Sequence, residues 1–392
     1  GKFVMNIRND WSASNKGWQF IASPVSNAKV ADFEDEDELF EYDLYKYEGN
    51  VNDGTAKWIN YKSHEDDFET TFVEGRGYLA SYEFETTVSF AGILNHEDSF
   101  AKDLSYNTTN SNGKPLANFH LLGNPFSFDM DWSEVNASGL ASGYAVVNNE
   151  GGYDYLSSGT IKVGDGFFVE AIGENPSLSY PAQSKSRDED KTDYINVIAT
   201  SDAGSDNVII RFAGKEEGFN KLQNFNKEIA TVYVVECGNH YGIYNCEADV
   251  QEIALNFNAE QMGNYSISLD LNGKFETVTL VDRFTGIETD MLIEDEYNFT
   301  ATSNESHERF IIRLGNGQQP TADSQFVFQS GEELVVTAEG SLQIIDIMGR
   351  VVYKKDMANI NDRIDLSKFN KTTYIVRLIN EDGVNTQKVV VY

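Results

Sequence analysis

The stretch Tyr265-Ser-Ile-Ser-Leu-Asp-Leu271, followed by Asn272-Gly273-Lys274 and Phe275-Glu-Thr-Val-Thr-Leu-Val281, decides the fold class. Tyr265, Ile267, Leu269 and Leu271 alternate with Ser266, Ser268 and Asp270. A period of two puts the apolar set on one face of a β-strand and the polar set on the other. Asn-Gly adopts the positive φ angles of a tight hairpin, so residues 275–281 are expected to return as the partner strand. Asp282-Arg-Phe-Thr-Gly286 reads as the next turn, and Phe310-Ile-Ile-Arg-Leu314 as a closing strand. No long segment repeats at 3.6 residues, so helix is expected only as short turns, near residues 259–262 and 366–369.

Outward from this stretch, two polar segments without periodicity divide the chain: 183–191 (Gln-Ser-Lys-Ser-Arg-Asp-Glu-Asp-Lys) and 315–324 (Gly-Asn-Gly-Gln-Gln-Pro-Thr-Ala-Asp-Ser). They define three expected domains, 1–182, 192–315 and 325–392. The 392 residues suit that number, because domains average about 100–200 residues. The expected class is all-β, built from multidomain β-sandwiches. These are a duplicated N-terminal sandwich of jelly-roll-like character, a middle antiparallel domain and a seven-stranded immunoglobulin-like sandwich at the C-terminus.

The chain carries 63 Asp+Glu against 30 Lys+Arg, a net charge of −33. Phosphate backbones and anionic headgroups are repelled by such a field, which argues against nucleic acid as a partner. No apolar run approaches the length of a membrane-spanning helix, so membrane insertion is not expected. The densest acid lies at 32–38, 65–67 and 188–190.

The first block repeats itself. Trp18-Gln-Phe-Ile-Ala-Ser-Pro24-Val25 parallels Phe119-His-Leu-Leu-Gly-Asn-Pro125-Phe126. Phe72-Val-Glu-Gly75-Arg-Gly77-Tyr-Leu79 parallels Ile161-Lys-Val-Gly164-Asp-Gly166-Phe-Phe168 in the same order. Two related β units in one domain account for this. The Gly-x-Gly pairs lack the third glycine and the following helix of a dinucleotide loop, so they read as turns entering strands.

Catalytic signatures do not stand out. The five histidines lack ligand spacing and no Gly-x-Ser-x-Gly elbow occurs, so no catalytic or metal residue is assigned. No cofactor is expected. Residues 32–38 and the loop Asp202-Ala-Gly-Ser-Asp-Asn207 are weak calcium-type candidates, without the spacing of a calcium loop. Cys237 and Cys246 leave open an oxidised pair or two free thiols. Aromatic residues are the better contact candidates: Trp58, Tyr153 and Tyr155, the tyrosines within a glycine-rich loop, could stack on a sugar or anchor a protein interface.

Residues 325–392 read as seven short strands, near 326–329, 333–337, 342–346, 351–355, 362–365, 374–380 and 384–391. Leu342-Gln-Ile-Ile-Asp346-Ile-Met-Gly349-Arg350-Val-Val352, then Ile364-Asp-Leu-Ser-Lys-Phe369, Tyr374-Ile-Val-Arg-Leu378 and Gly383-Val-Asn-Thr-Gln-Lys388-Val-Val-Val391 follow in order. These segments resemble the C-terminal sorting domain of the type IX (Por) secretion system of Bacteroidetes. The resemblance implies passage through the periplasm to the outer-membrane surface or the exterior. It also implies recognition by the secretion machinery through Asp346, Gly349, Arg350, Tyr374, Gly383 and Lys388. The expected protein is therefore a non-catalytic, adhesin-like surface protein binding a host protein or glycan. The alternative is a secreted glycan-active enzyme, or an accessory carbohydrate-binding region of one.

Overall fold

The computed structural model describes residues 1–7, 17–33, 41–49, 57–83, 86–95, 99–106, 118–181, 192–214, 217–302, 305–315, 327–330, 333–336, 339–346, 350–357, 362–380 and 383–391. Strands make up nearly all of the regular structure, so the all-β class holds. Among the described residues helix is limited to short 3-10 turns such as Val30–Phe33 and Trp132–Glu134. Residues 259–262 are not helical: Ala259 ends a strand and the chain bends directly into the next one. At 366–369 a single turn forms, closed by the Phe369 N–H donating to the Leu366 carbonyl at 2.9 Å. Nearly all of the two polar segments, 183–191 and 315–324, lies outside the described residues; only Gly315 is within them.

The contacts divide the chain into two compact units, 1–316 and 317–392. In the first unit the paired sequence motifs occupy equivalent places. One four-stranded sheet runs in the order Gln19–Ala22, Gly77–Tyr82, Tyr42–Glu48, Lys57–Asn60. A second runs Phe119–Gly123, Gly166–Glu170, Tyr144–Val147, Tyr153–Leu156, so first, fourth, second and third strands alternate identically. Even the register agrees, with Ala22 opposite Gly77 in one and Gly123 opposite Gly166 in the other.

The two sheets meet through reciprocal bonds. Ala22 N–H donates to Gly164 O at 2.7 Å, and Gly123 N–H donates to Gly75 O at 3.1 Å. Each pair joins the same two motif positions with the halves exchanged, which is the pattern of a two-fold, self-complementary contact. The Gly-x-Gly pairs serve this contact. Gly75 and Gly164 turn the chain at φ +68° and +87°, a region that disfavours side chains. A Cβ on Gly77 would fall 2.4 Å from the Leu122 carbonyl oxygen.

Residues 192–315 build one large sheet folded across its own core. One side holds Tyr194–Ser201, Gly204–Arg211, Gly263–Asn272 and Glu296–Ala301; the other holds Glu252–Ala259, Val278–Asp282, Ile287–Asp290 and Glu305–Leu314. Val197, Ile210, Leu255, Phe257, Ile267, Phe299 and Phe310 fill the space between. Here the hairpin expectation is corrected. The Gly263–Asn272 strand pairs with Tyr194–Ser201 and Glu296–Ala301, not with 275–281. Gly273 sits at φ +127°, outside the geometry of a tight primed turn, and the chain crosses there to the opposite layer. Val278 and Leu280 thus face Ile267 across the core, where both sets of apolar side chains are covered. The turn at Asp282–Gly286 forms as read, with Gly286 N–H donating to Asp282 O at 2.7 Å.

Stretches 1–182 and 192–315 share a hydrophobic cluster in which Phe20, Phe119, Tyr155 and Phe168 pack with Ile209, Phe219 and Ile243. A tight turn occurs at Cys237-Gly238, both at positive φ, with Glu236 opposite Asn239. This leaves both thiols free, Cys237 exposed and Cys246 buried.

Among the described residues the second unit has seven strands in two sheets. Val327–Ser330, Glu333–Val336 and Asp362–Asp365 form one; Val351–Met357, Gly340–Ile345, Thr373–Asn380 and Gly383–Val390 form the other. They enclose a core that includes Leu334, Leu342, Ile344, Ile364, Val376 and Leu378.

Candidate functional site

Of the three aromatic residues expected to make contacts, two converge on one cavity. It has a volume of about 290 Å³ and is walled by Tyr47, Trp58, Tyr153, Phe168 and Phe225, with Gln223, Asn224 and Lys227 supplying polar atoms. Trp58 lies on the edge strand Lys57–Asn60 opposite Tyr47 and is half-buried. Its ring stands 5.0 Å from Tyr47, edge-on, and 6.1 Å from Phe225. Phe225 lies 5.6 Å from Tyr153 in a tilted stack. Aromatic walls with a few polar atoms are the usual composition of a small-ligand site, and this volume falls at the lower end of such sites, on the order of 300 Å³.

The tyrosines are not in a loop. Asn148 closes the glycine turn by accepting from Glu150 N at 3.2 Å and Gly152 N at 2.8 Å, so Tyr153 already belongs to the strand Tyr153–Leu156. Tyr153 is 3% exposed, so it lines the cavity as part of a buried wall. Tyr155 is corrected from contact residue to core: it is fully buried and lines none of the cavities found around it. The edge of its strand is covered from the middle stretch. Asn207 Oδ1 accepts from Tyr155 N at 2.9 Å, and Asn207 Nδ2 donates to Tyr155 O at 3.1 Å. Lys221 Nζ sits 4.3 Å over the Tyr155 ring and 2.8 Å from the buried Asp206 carboxylate. The Tyr155 ring is thus sealed where the two stretches join.

Sequence reading missed Phe225. It lies in Phe219-Asn-Lys-Leu-Gln-Asn-Phe-Asn226, an irregular stretch whose aromatic spacing follows neither strand nor helix period. It also missed Glu170, which ends the strand Gly166–Glu170 that carries the cavity-lining Phe168. Glu170 is buried and accepts from Asn220 N at 2.7 Å and Asn220 Nδ2 at 2.5 Å. Burial pushes its carboxyl up to about 7 despite these bonds.

This shift gives a signed pH dependence. A carboxyl that ionises at 4.5 when solvated and at about 7 when folded is charged more readily in the unfolded chain between those values. Stability is therefore highest below pH 4.5 for this group and falls as pH rises through 7, by up to about 3 kcal/mol. Glu170→Gln is expected to flatten that decline. Urea midpoints of both proteins between pH 5 and 8 check it; parallel profiles would refute the assignment.

Two loops carry the calcium-type expectation, 32–38 and 202–207. Asp206 is engaged by Lys221 and by Val232 N at 2.8 Å. Residues 34–38 of the acidic run lie outside the described residues. Among the described residues no group of three or more His, Cys, Asp or Glu could hold a metal.

In the second unit, Asp346 and Arg350 clasp a turn. Arg350 Nε donates to Asp346 Oδ2 at 2.9 Å, and Arg350 N donates to Asp346 Oδ1 at 2.9 Å. Gly349 lies outside the described residues. Tyr374 is buried, and its hydroxyl accepts from Asn370 N at 3.0 Å. Gly383 pairs with Asn380 and Lys388 with Ile375 along the last hairpin. Tyr374 thus acts as a core residue, while Asp346 and Arg350 fix a surface turn.

Residues 320–392 match the family model of the secretion system C-terminal sorting domain. The chain is a type IX secreted protein of Bacteroidetes type, exported to the cell surface or the extracellular space and engaged by the type IX machinery through this domain. No helix among the described residues is long and apolar enough to cross a membrane. Comparisons with curated proteins and with solved structures return no match.

Proposed function

We propose that the exported chain is a non-catalytic binding protein of the cell exterior, adhesin-like, whose 1–316 unit recognises a glycan through the cavity at Trp58, Tyr153 and Phe225. The supporting observation is the convergence of three aromatic rings with the polar groups of Gln223, Asn224 and Lys227 at one cavity of single-ring size. A saccharide presents C–H faces to aromatic rings and hydroxyls to amides, and such a wall satisfies both. Glycoside hydrolysis would need two facing carboxylates. The walls of this cavity carry none, which favours binding over catalysis.

A glycan array probed with the full chain tests the reading. A bound oligosaccharide should lose about tenfold in affinity, or about 1.4 kcal/mol, with Trp58→Ala. Circular dichroism melts establish that the variant is folded, because Trp58 also packs on Phe20 and Phe168. Unchanged affinity in a folded Trp58→Ala protein, or no glycan bound at all, would overturn it.

A further inference from the structure

The aromatic cavity has a neighbour of opposite character. Tyr47 walls both. The second cavity measures about 490 Å³ and is bounded by Arg76, Lys102, Asp103, Ser105 and His120 over a floor of Phe119 and Leu121. In a chain of net charge −33 it gathers two cations and a histidine.

Arg76 and Lys102 are the cations of this cavity, and His120 is a polar part of its wall whose Nε2–H is already taken. Arg76 projects from the Gly75–Gly77 turn that the two-fold contact fixes, and one guanidinium nitrogen donates to Glu69 Oε1 at 2.8 Å. The remaining N–H groups of a guanidinium are available beyond that single bond. Glu69 is itself shared with Lys46 at 3.5 Å. Lys102 lies on the strand Ser99–Asp103, partly buried, with its ammonium 3.4 Å from the Glu74 carbonyl oxygen. Burial first, then the charge of Arg76, pushes the Lys102 amine down to about 8, although Glu74 and Glu69 act in the opposite sense. Burial, joined by the charges of Lys102 and Arg76, lowers the His120 pKa from its ordinary value against the contrary pull of its bond to Ser105. Its Nε2–H donates to the Ser105 carbonyl at 2.9 Å. Asp103 is the one carboxylate in the wall, and it is exposed.

The geometry points to an oxyanion subsite: the cavity at Arg76, Lys102 and His120 takes the carboxylate or sulfate of an acidic saccharide whose neighbouring ring occupies the cavity at Trp58. This rests on the glycan reading above and narrows it from glycans at large to acidic ones. A bound oxyanion adds to the partial compensation that Glu74 and Glu69 give the partly buried ammonium beside a guanidinium, and a guanidinium offers a planar pair of donors for it. Tyr47 borders both cavities, and a ligand that spans it would use ring stacking in one and anion capture in the other. The net negative field of the chain would slow the approach of such a ligand, so binding should strengthen with added salt until screening reaches the subsite itself.

The test reads Lys102 directly. The full chain is reductively methylated with ¹³C-formaldehyde, and the Lys102 resonance is identified by its loss in Lys102→Arg. Its titration midpoint is then followed with glucuronate, glucose 6-sulfate, glucose and inorganic sulfate at matched ionic strength. The acidic sugars should raise the midpoint from about 8 to about 9 or above, as an opposite charge within hydrogen-bonding range does. Glucose should leave it in place, and Arg76→Gln should abolish the rise. An unmoved midpoint with acidic sugars overturns the subsite, while neutral glycans still lost by Trp58→Ala would leave the binding reading intact. A rise produced equally by inorganic sulfate would overturn the saccharide assignment.

Discussion

A chain ending at residue 316 accumulates in the periplasm and fails to reach the cell surface. This is expected because residues 320–392 carry the sorting domain and residues 317–392 form a compact unit of their own. The cut passes between the two units. The part left behind keeps its own cores, around Phe257 and Phe310 and around Phe72 and Phe90. Retention would therefore reflect loss of the export signal, and a folded periplasmic product separates it from misfolding. Fractionation of a type IX-competent host, with protease accessibility of intact cells, makes the measurement. Normal surface display of the truncated chain would sink the assignment of export to this domain. Replacing Asp346 is expected to act more mildly, since it loosens one turn held by Arg350 and leaves the Leu342–Val376 core in place.

The second large effect concerns a buried ion pair. Arg309 and Asp282 are each 1% exposed. Arg309 Nε donates to Asp282 Oδ1 at 3.2 Å and Nη2 to Oδ2 at 2.9 Å, a bidentate fork. The Tyr297 hydroxyl adds a bond to Oδ2 at 3.0 Å, and the guanidinium lies 4.3 Å from the Phe299 ring. Burial alone would raise the Asp282 pKa; the bonds from Arg309, Phe284 and Tyr297 outweigh it and hold the carboxyl below its ordinary value. Arg309→Leu strands this carboxylate inside the protein and should cost about 3–5 kcal/mol. Asp282→Asn in the same chain removes the stranded charge and should restore part of the loss. Urea unfolding followed by tryptophan emission reports the 1–316 unit, since all four Trp lie within residues 11–132. A loss below about 1 kcal/mol would show that the pair is not packed as described.

The pair illustrates where sequence reading stops. Asp282 was legible as a turn residue, because Asp-x-x-x-Gly after a strand is a local signal, and Phe284 N does donate to its carboxylate at 2.9 Å. Its partner stands 27 residues away, a separation no local period encodes. Tyr153 and Tyr155 show the same limit. Read from sequence as part of a glycine-rich loop, they lie instead on one face of a strand. Whether that face meets water or another sheet depends on Asn207, Lys221 and Asn224 arriving from the middle stretch. Trp58 became part of a cavity only because Phe225 is brought beside it.

By itself the sequence determined what depends on neighbours along the chain. The alternation in 265–271 sets strand, the paired motifs at 18–25 and 119–126 set two units of equal topology, and the ordered segments from 342 onward set the sorting domain. Side-chain period and turn chemistry are local properties, so they survive without knowledge of the fold. Tertiary structure decided strand partners: Asn272-Gly273 carries the chain across the core instead of back along the same sheet. It also decided that Tyr155 is core while Trp58 borders a cavity, and that Arg76, Lys102 and His120 share one wall. Pairing and burial are set by which surfaces leave the fewest apolar groups in water once all strands are present, a sum that no single stretch contains.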